Sequence, residues 1–470
     1  MNTWRGTKVV VVGAARQGLA LARYFLIQGA QVVINDKRPP EQLAQAIQFM
    51  TDLEKQGAPL NWELGGHPLS VLNEAQLVCL SGGVPPSLPI VLAAREKGIP
   101  VSNDSQIFLE RVPCKVIGIT GSAGKTTTTT LVGRIAEAAI QSGALIPFKK
   151  AWVGGNIGSP LISALQEMST DDLAIMELSS FQLELMSLSP QVAVILNITP
   201  NHLDRHATME AYTAAKSRIL LFQDANDIAI LGRDDPGAWS LRSEIRGRTL
   251  SFGISELPEK GSGIYLDGDS IELLRKGNEH SKHILRKEDI ALRGAHNLLN
   301  VMAACTIATA VGLPTTAIRE GVKGFLGVSH RLEFVRSWGG AAWYDDSIAT
   351  APERALAAIQ SFNEPLVLLA GGRDKDLPWD EFGYQVRRRV DHLVLFGEAA
   401  EKIQAAMKMN ASERLTITRC TNLYDAVQAA AKLVNPGDVV LLSPGGTSFD
   451  EFVDFEQRGE YFSKWVKELP

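Results

Sequence analysis

The run Thr120-Gly121-Ser122-Ala123-Gly124-Lys125-Thr126 sets small residues ahead of a lysine and a hydroxyl, the composition a phosphate-binding loop needs. Glycines let the backbone curl so that successive N–H groups face phosphate oxygens, and a following helix N-terminus adds partial positive charge. In such a loop Lys125 neutralises β/γ-phosphate charge and the Thr126 hydroxyl ligates Mg²⁺. The strict Walker spacing requires glycine at position 119; this chain has Ile119, so the loop is a shorter variant. Glu177 closes the apolar run Leu173–Met176, where a second Mg²⁺ ligand belongs; the plainer alternative is a solvated glutamate at a helix start. The segment Asn197 to His206 also follows an apolar run and brings His202, Asp204 and Arg205 to one sheet edge. A lone histidine is more often structural, but this one sits in a polar cluster. Lys216, in the helix-like stretch Tyr212–Arg218, reads from its own pattern as a surface lysine.

Short β-branched runs alternate with helical patterns along the chain, which predicts an α/β protein built on parallel sheets. At 470 residues the chain exceeds what one core serves. Three units separate: 1–111, 112–328 and 329–470. In the first, strands are expected at Val9–Val12, Val32–Asn35, Leu77–Leu80 and Ile99–Val101, with a helix after Gly18. The second opens with Val116–Thr120 and continues through Leu173–Glu177 and Val192–Asn197 to a more polar, β-rich stretch near 228–293. The third holds strands at Leu366–Ala370, His392–Phe396 and Val439–Leu442.

Gly13-Ala14-Ala15-Arg16-Gln17-Gly18 resembles a dinucleotide fingerprint with alanine at its middle glycine. Asp36 ends the second strand, where ribose hydroxyls are usually read. That pattern alone suggests an NAD-dependent oxidoreductase. Ala15 narrows the approach to a pyrophosphate, however, and Lys37 and Arg38 follow Asp36 at once. Another nucleotide fits as well, and a second nucleotide loop is expected at Ser81-Gly82-Gly83-Val84-Pro85.

A net charge of −5 without long runs of one sign argues against nucleic acid or an anionic membrane as partner. The four cysteines are scattered without metal-ligand spacing and read as buried thiols of a reducing compartment. No apolar stretch is long enough to span a bilayer and no targeting signal is evident, so a cytoplasmic protein is expected.

Taken together and in order, these motifs resemble the Mur ligase family, in particular its glutamate-adding branch. The resemblance rests on the phosphate loop, Gly154-Gly155-Asn156-Ile157-Gly158 and Glu177-Leu178-Ser179-Ser180-Phe181-Gln182-Leu183-Glu184. Further along it rests on Asn197 to Arg205, Ala214-Ala215-Lys216, Gly294-Ala295-His296-Asn297 and His330-Arg331. It ends with Asp345-Asp346-Ser347, Gly371-Gly372, and Leu442-Ser443-Pro444 leading to Phe455-Glu456-Gln457-Arg458-Gly459. It implies a Rossmann-like UDP-binding domain, a central P-loop ATPase-type domain and a Rossmann-like C-terminal domain. The implied activity is ATP-dependent amide formation through an acyl phosphate, joining glutamate to UDP-N-acetylmuramoyl-L-alanine for peptidoglycan. Thr126 and Glu177 would hold one of two Mg²⁺ ions and His202 the other, and Lys216 would be a CO₂-derived carbamate serving as a metal ligand. ATP contacts are implied for Gly121, Ser122, Ala123, Gly124, Lys125, Thr126, Thr127, Asn297, Arg331 and Asp346. The UDP side is implied for Ala15, Arg16, Asp36, Lys37, Gly83 and Asn156, and the amino-acid pocket for Thr350, Lys375, Ser448 and Phe449. A monomer acting on small molecules is expected, with domain closure assembling the ATP site.

The chain departs from the family pattern in one place that matters. Many members carry lysine after the Asp-Ser element; here Ile348 follows Asp346-Ser347 and cannot pair with a carboxylate. The segment Pro444-Gly445-Gly446-Thr447-Ser448-Phe449 also differs from the commoner form. Losing one charge-assisted contact costs about 1.5–3 kcal/mol unless Lys375 or Arg373 replaces it. L-glutamate is therefore an alternative to D-glutamate. An oxidoreductase leaves the phosphate loop and Glu177 idle, and a P-loop switch or transport ATPase leaves the third domain unexplained.

Overall fold

The computed structural model describes residues 4–200, 203–206, 208–259, 261–275, 277, 280–375, 377–407 and 415–470, without the side chains of Leu203 and Asp204. Val9-Val10-Val11-Val12 is buried throughout, as a strand covered on both faces requires. It lies within β1 (Lys8–Val12), which pairs with β2 (Gln31–Asp36) and β4 (Leu77–Leu80). With β3 (Leu60–Leu64) and β5 (Val101–Asn103) these form an all-parallel sheet of order β3-β2-β1-β4-β5.

The second sheet starts with β6 (Lys115–Thr120), β7 (Lys150–Gly155), β8 (Asp172–Glu177), β9 (Val192–Ile195) and β10 (Ile228–Gly232). It is completed by β11 (Arg248–Phe252), β12 (Gly263–Asp267), β13 (Ser270–Leu274) and β14 (Lys282–Arg286). Its order is β14-β13-β12-β11-β10-β9-β6-β8-β7, parallel as far as β12 and antiparallel beyond it. The β-rich character expected near 228–293 is thus present as β10 to β14. β6 sits between β8 and β9, a topological switch point where the strand C-termini leave a crevice for ligands.

The third sheet contains β15 (Glu333–Trp338), β16 (Ala341–Asp345), β17 (Leu366–Gly371), β18 (His392–Phe396), β19 (Thr416–Arg419) and β20 (Val439–Gly445). Its order is β15-β16-β20-β17-β18-β19, with only the β15–β16 pair antiparallel. Residues 1–290 and 296–323 make one compact unit, carrying the first two sheets; residues 291–295 and 324–470 make the other.

Two expectations shift at their edges. The strand expected at Ile99–Val101 starts at Val101, because Pro100 has no N–H to give to the ladder. The helix expected after Gly18 is Arg16–Ile27, so the glycine is inside it. Five further strands were not expected: β3, β7, β15 and β19 are edge strands and β16 lies beside one, and none carries a continuous aliphatic run like those at the sheet centres.

Within the first unit the two sheets are joined by polar contacts around helix Asp104–Arg111. Asn103 Nδ2 donates to the Gln182 carbonyl at 2.7 Å, and Gln106 Oε1 accepts from the Ser187 N–H at 2.8 Å. Asp104 is buried there with its Oδ1 unpartnered. Burial pushes its carboxyl up to about 6, against the pull of the Gln182 amide and of nearby backbone N–H groups. A carboxyl raised on folding takes up protons relative to the unfolded chain, so its stability cost grows as pH rises from about 4 to about 6. Asp104→Asn lacks that cost. It should raise the melting temperature near pH 8 by the equivalent of on the order of 2 kcal/mol, a gain that vanishes near pH 4. Thermal denaturation at the two pH values checks this; equal melting points at the higher pH would contradict it.

Candidate functional site

The phosphate loop leaves the tip of β6 and enters helix Lys125–Gln141 through Gly124, which caps the helix at φ +82°. That left-handed conformation suits glycine, and an added Cβ would fall 2.1 Å from Asn300 Oδ1. Two side chains from the β9 tip and the helix Met209–Leu221 hold the loop open. Asn197 Oδ1 accepts from the Ala123 N–H at 2.9 Å while its Nδ2 donates to the Ala123 carbonyl at 3.2 Å. Tyr212 Oη donates to Ser122 Oγ at 3.1 Å, and Ser122 Oγ also bonds the Thr199 backbone. Lys125 Nζ folds back over the loop to the Gly121 carbonyl at 2.8 Å. Thr127 turns inward and is buried.

Glu177, at the tip of β8, is 1% exposed. Its Oε2 accepts from Thr126 Oγ1 at 2.9 Å and its Oε1 from Asn156 Nδ2 at 2.9 Å. The solvated reading of Glu177 is therefore excluded by its burial. A carboxylate and a hydroxyl meeting at a helix N-terminus fit Mg²⁺, which takes few protein oxygens and completes its shell with water and phosphate.

Lys216 is also 1% exposed, so its pattern as a surface lysine is wrong. It sits on the face of helix Met209–Leu221 that packs under the loop, which a single-helix pattern with little amphipathic contrast does not reveal. Its Nζ lies 3.0 Å from the Gly121 carbonyl, 3.4 Å from Thr120 Oγ1 and 4.7 Å from the centre of the Tyr212 ring. Burial, helped by the charge of Lys125 and opposed by Glu177, holds its ammonium well below the ordinary lysine range. A neutral amine is the form that adds to CO₂, so the environment suits a carbamate.

His202 lies outside the described residues. Its neighbour Arg205 donates to the Gly83 and Val84 carbonyls at 3.4 and 3.1 Å and stacks over Phe181 at 4.4 Å. His206 is buried between Ser180 Oγ at 2.9 Å and Glu184 at 3.2 Å. Arg16 Nη2 donates to the Asn156 carbonyl at 3.1 Å. Two residues of the expected UDP side thus meet each other, and through Asn156 they meet the acid of the phosphate loop. Asp36 is already engaged: it accepts the Ala14 N–H at 2.8 Å and both Nε and Nη2 of Arg38. Burial opposes its charge, but Arg38 and these N–H groups hold the carboxyl down to about 2. A cavity of about 550 Å³ opens beside Ala14, Arg16 and Arg38, while Lys37 is exposed and Ala15 caps the first helix.

In the second unit, Asp346 is buried and accepts Ser443 Oγ at 2.8 Å. Burial pushes its carboxyl up to about 7 against that hydrogen bond and the Arg331 charge. Arg331 lies between His330 and Leu332, both at positive φ, with His330 Nδ1 2.7 Å from Asp345 Oδ2. Lys375 Nζ reaches Thr350 Oγ1 at 3.4 Å, Ser448 is buried, and Phe449 beside it is 61% exposed. Arg373 is committed to Glu398 through two bonds of 2.8 and 3.0 Å, while Lys375 reaches Thr350 in the segment that follows Ile348.

Tyr212, Asn197 and Asn300 were not assigned roles from sequence. Tyr212 precedes Lys216 by one helical turn, and Asn300 follows Asn297 by about one, its Nδ2 donating to Asn297 Oδ1 at 3.2 Å. Same-face spacing to a site residue on the same helix is the signal for Tyr212 and Asn300; Asn197, in the loop after β9, carries no such signal.

Three family models match the chain: a MurD-like N-terminal domain at 7–103, the Mur ligase middle domain at 119–308 and the Mur ligase glutamate ligase domain at 330–446. A UDP-N-acetylmuramoylalanine–D-glutamate ligase of Symbiobacterium thermophilum is 39% identical over 98% of both chains. The protein of that name from Pelotomaculum thermopropionicum is also 39% identical, again over 98% of each. The solved UDP-N-acetylmuramate–alanine ligase of Thermotoga maritima shares the fold with a TM-score of 0.59 and 18% identity, covering 98% of this chain and 99% of that one. The MurF ligase of the same organism, solved with ADP, gives 0.54 and 20%, covering 99% and 96%. With its three sheets, its phosphate loop and relatives matching along nearly its whole length, the chain belongs to the Mur ligase family.

Proposed function

We propose that this protein joins D-glutamate to UDP-N-acetylmuramoyl-L-alanine at the expense of ATP, in cytoplasmic synthesis of a peptidoglycan precursor. The observation that carries it is the unbroken path Arg16–Asn156–Glu177–Thr126, three hydrogen bonds that link the residues proposed for the nucleotide-sugar to the phosphate loop. The relatives' names favour the D isomer over the L isomer that Ile348 left open. An oxidoreductase finds less support, because it leaves the phosphate loop and the buried Glu177–Thr126 pair without a task.

A carboxylate is a poor acyl donor, and transfer of the γ-phosphoryl group to it supplies a leaving group. The glutamate amine then attacks the acyl carbon, and inorganic phosphate departs as the amide forms. Lys125 and the N–H groups of residues 121–126 offset charge on the transferring group. Asn197 and Tyr212 keep that loop in shape. Thr126 and Glu177 would hold one Mg²⁺, and His202 with carbamylated Lys216 the other; bound there, the ions supply charge neutralisation. Asn297, Arg331 and Asp346 complete the ATP contacts. Thr350, Lys375, Ser448 and Phe449 receive glutamate, with Lys375 taking the part the missing lysine plays elsewhere. Ala15, Arg16, Asp36, Lys37, Gly83 and Asn156 serve the UDP-sugar, and Arg38 joins them. The domain limits 1–111, 112–328 and 329–470 follow this division of labour. A monomer is proposed, with no nucleic-acid or membrane partner; no helix among the described residues is long and apolar enough to cross a membrane.

The decisive assay offers ATP, Mg²⁺ and UDP-N-acetylmuramoyl-L-alanine with D- or L-glutamate separately, reading phosphate release and product mass. Amide product with D-glutamate is expected, and none with either isomer would sink the proposal. Lys125→Ala should lower turnover by at least about a hundredfold. Lys216→Ala should be inactive yet partly restored by added short carboxylates, since the carbamate's contribution is an anionic oxygen. An alanine variant of full activity would rule that role out.

A further inference from the structure

The residues assigned to glutamate come from three separate loops of the second unit. Thr350 follows β16, Lys375 follows β17, and Ser448 and Phe449 follow β20. One buried side chain lies at the junction of all three. Arg458, in helix Phe455–Glu468, is 0% exposed. Its Nη2 donates to the Ser347 carbonyl at 2.9 Å and to the Gly446 carbonyl at 3.1 Å, and its Nη1 donates to Gly446 at 3.1 Å as well. The remaining loop passes so close that only glycine fits: Gly372 has φ +92°, and a Cβ there would lie 2.9 Å from Arg458 Nη1. Backbone bonds close the arrangement. Gly445 N–H donates to Ala349 at 2.8 Å, and Arg373 and Thr447 exchange N–H···O bonds of 2.8 Å each.

Such an arginine is a costly way to stabilise a fold. Among the described residues no carboxylate lies within ion-pair distance of it, and its Nε has no partner. Burial pushes the guanidinium down to about 10, despite the opposing charges of Asp450, Asp345, Glu451 and Asp346. An apolar side chain of similar volume commonly serves stability as well or better. The donors of Arg458 are aimed at main-chain carbonyls of two loops, so what they set is the position of backbone, and with it the spacing of the side chains those loops present.

We propose that Arg458 is a positioning residue for the incoming amino acid, fixing Thr350, Lys375 and the Ser448–Phe449 pair in register through the Ser347 and Gly446 carbonyls. The inference rests on the ligase reading above. Arg458 touches no substrate, and its effect is expected on the amino-acid pocket alone.

Arg458→Met and Arg458→Lys in the full chain test it, with KM measured separately for D-glutamate, ATP and UDP-N-acetylmuramoyl-L-alanine. The methionine variant should raise the KM for D-glutamate about tenfold or more and leave the other two within about twofold. Lysine, able to reach one carbonyl, should recover part of the loss. A folded methionine variant with an unchanged D-glutamate KM, or with all three constants raised alike, would overturn the proposal. Wild-type protein run alongside separates the two claims, because absence of amide product there is a failure of the ligase reading itself. Should neither variant fold, hydrogen exchange on the wild type decides. With an ATP analogue and the UDP substrate present, segments 345–350 and 444–449 should gain protection together on adding D-glutamate. Protection of one alone, or of neither, would count against the proposal.

Discussion

Glu177 is a carboxylate taken almost wholly out of water, and the folding of the first unit has to satisfy both of its oxygens. One is satisfied by Thr126, in the first turn of the helix behind the phosphate loop, and the other by Asn156, just beyond the tip of β7. An unsatisfied buried anion would cost more than a domain of this size can spare. The tips of β6, β7 and β8 are therefore held at one point. Because the Asn156 carbonyl also accepts from Arg16, the same point ties the first sheet to the second. The chemistry of the loop and the cohesion of the unit share one small set of hydrogen bonds.

Lys216 follows the complementary logic. A buried ammonium is unfavourable, the more so beside Lys125, so the amine is held toward its neutral form, with the Gly121 carbonyl and the Thr120 hydroxyl within reach. Tyr212, one turn earlier, packs against the amine and braces the loop through Ser122. The neutral amine is the form that adds to CO₂, and the proposed carbamate would put an anionic oxygen where the metal chemistry of the loop calls for one.

The second unit solves a different problem. The residues proposed to receive the amino acid hang from loops at the ends of parallel strands, the usual place for specificity on such sheets and also the part least constrained by the ladder. Arg458 replaces that missing constraint with hydrogen bonds to backbone. The loss of a lysine at Ile348 does not leave the region without a cation, since Lys375 stands beside Thr350 while Arg373 is occupied by Glu398.

The strands around the phosphate loop were legible because parallel strands buried on both faces are written as continuous apolar runs, and Thr120 to Thr126 is a local motif whose geometry follows from its own residues. β3, β7, β15 and β19 escaped because an edge strand needs no such run, and the short β16 beside β15 escaped with them. Family resemblance supplied the order of the motifs, including Asn156 and Arg458, but not their contacts. Whether a polar group is desolvated is not a local property. Lys216 looks like a surface residue in its own helix until distant segments close over it. Sequence alone determined the loop, the central buried strands and the family. Tertiary structure decided which charges are buried and which partners they meet, because those depend on contacts between residues far apart in the chain.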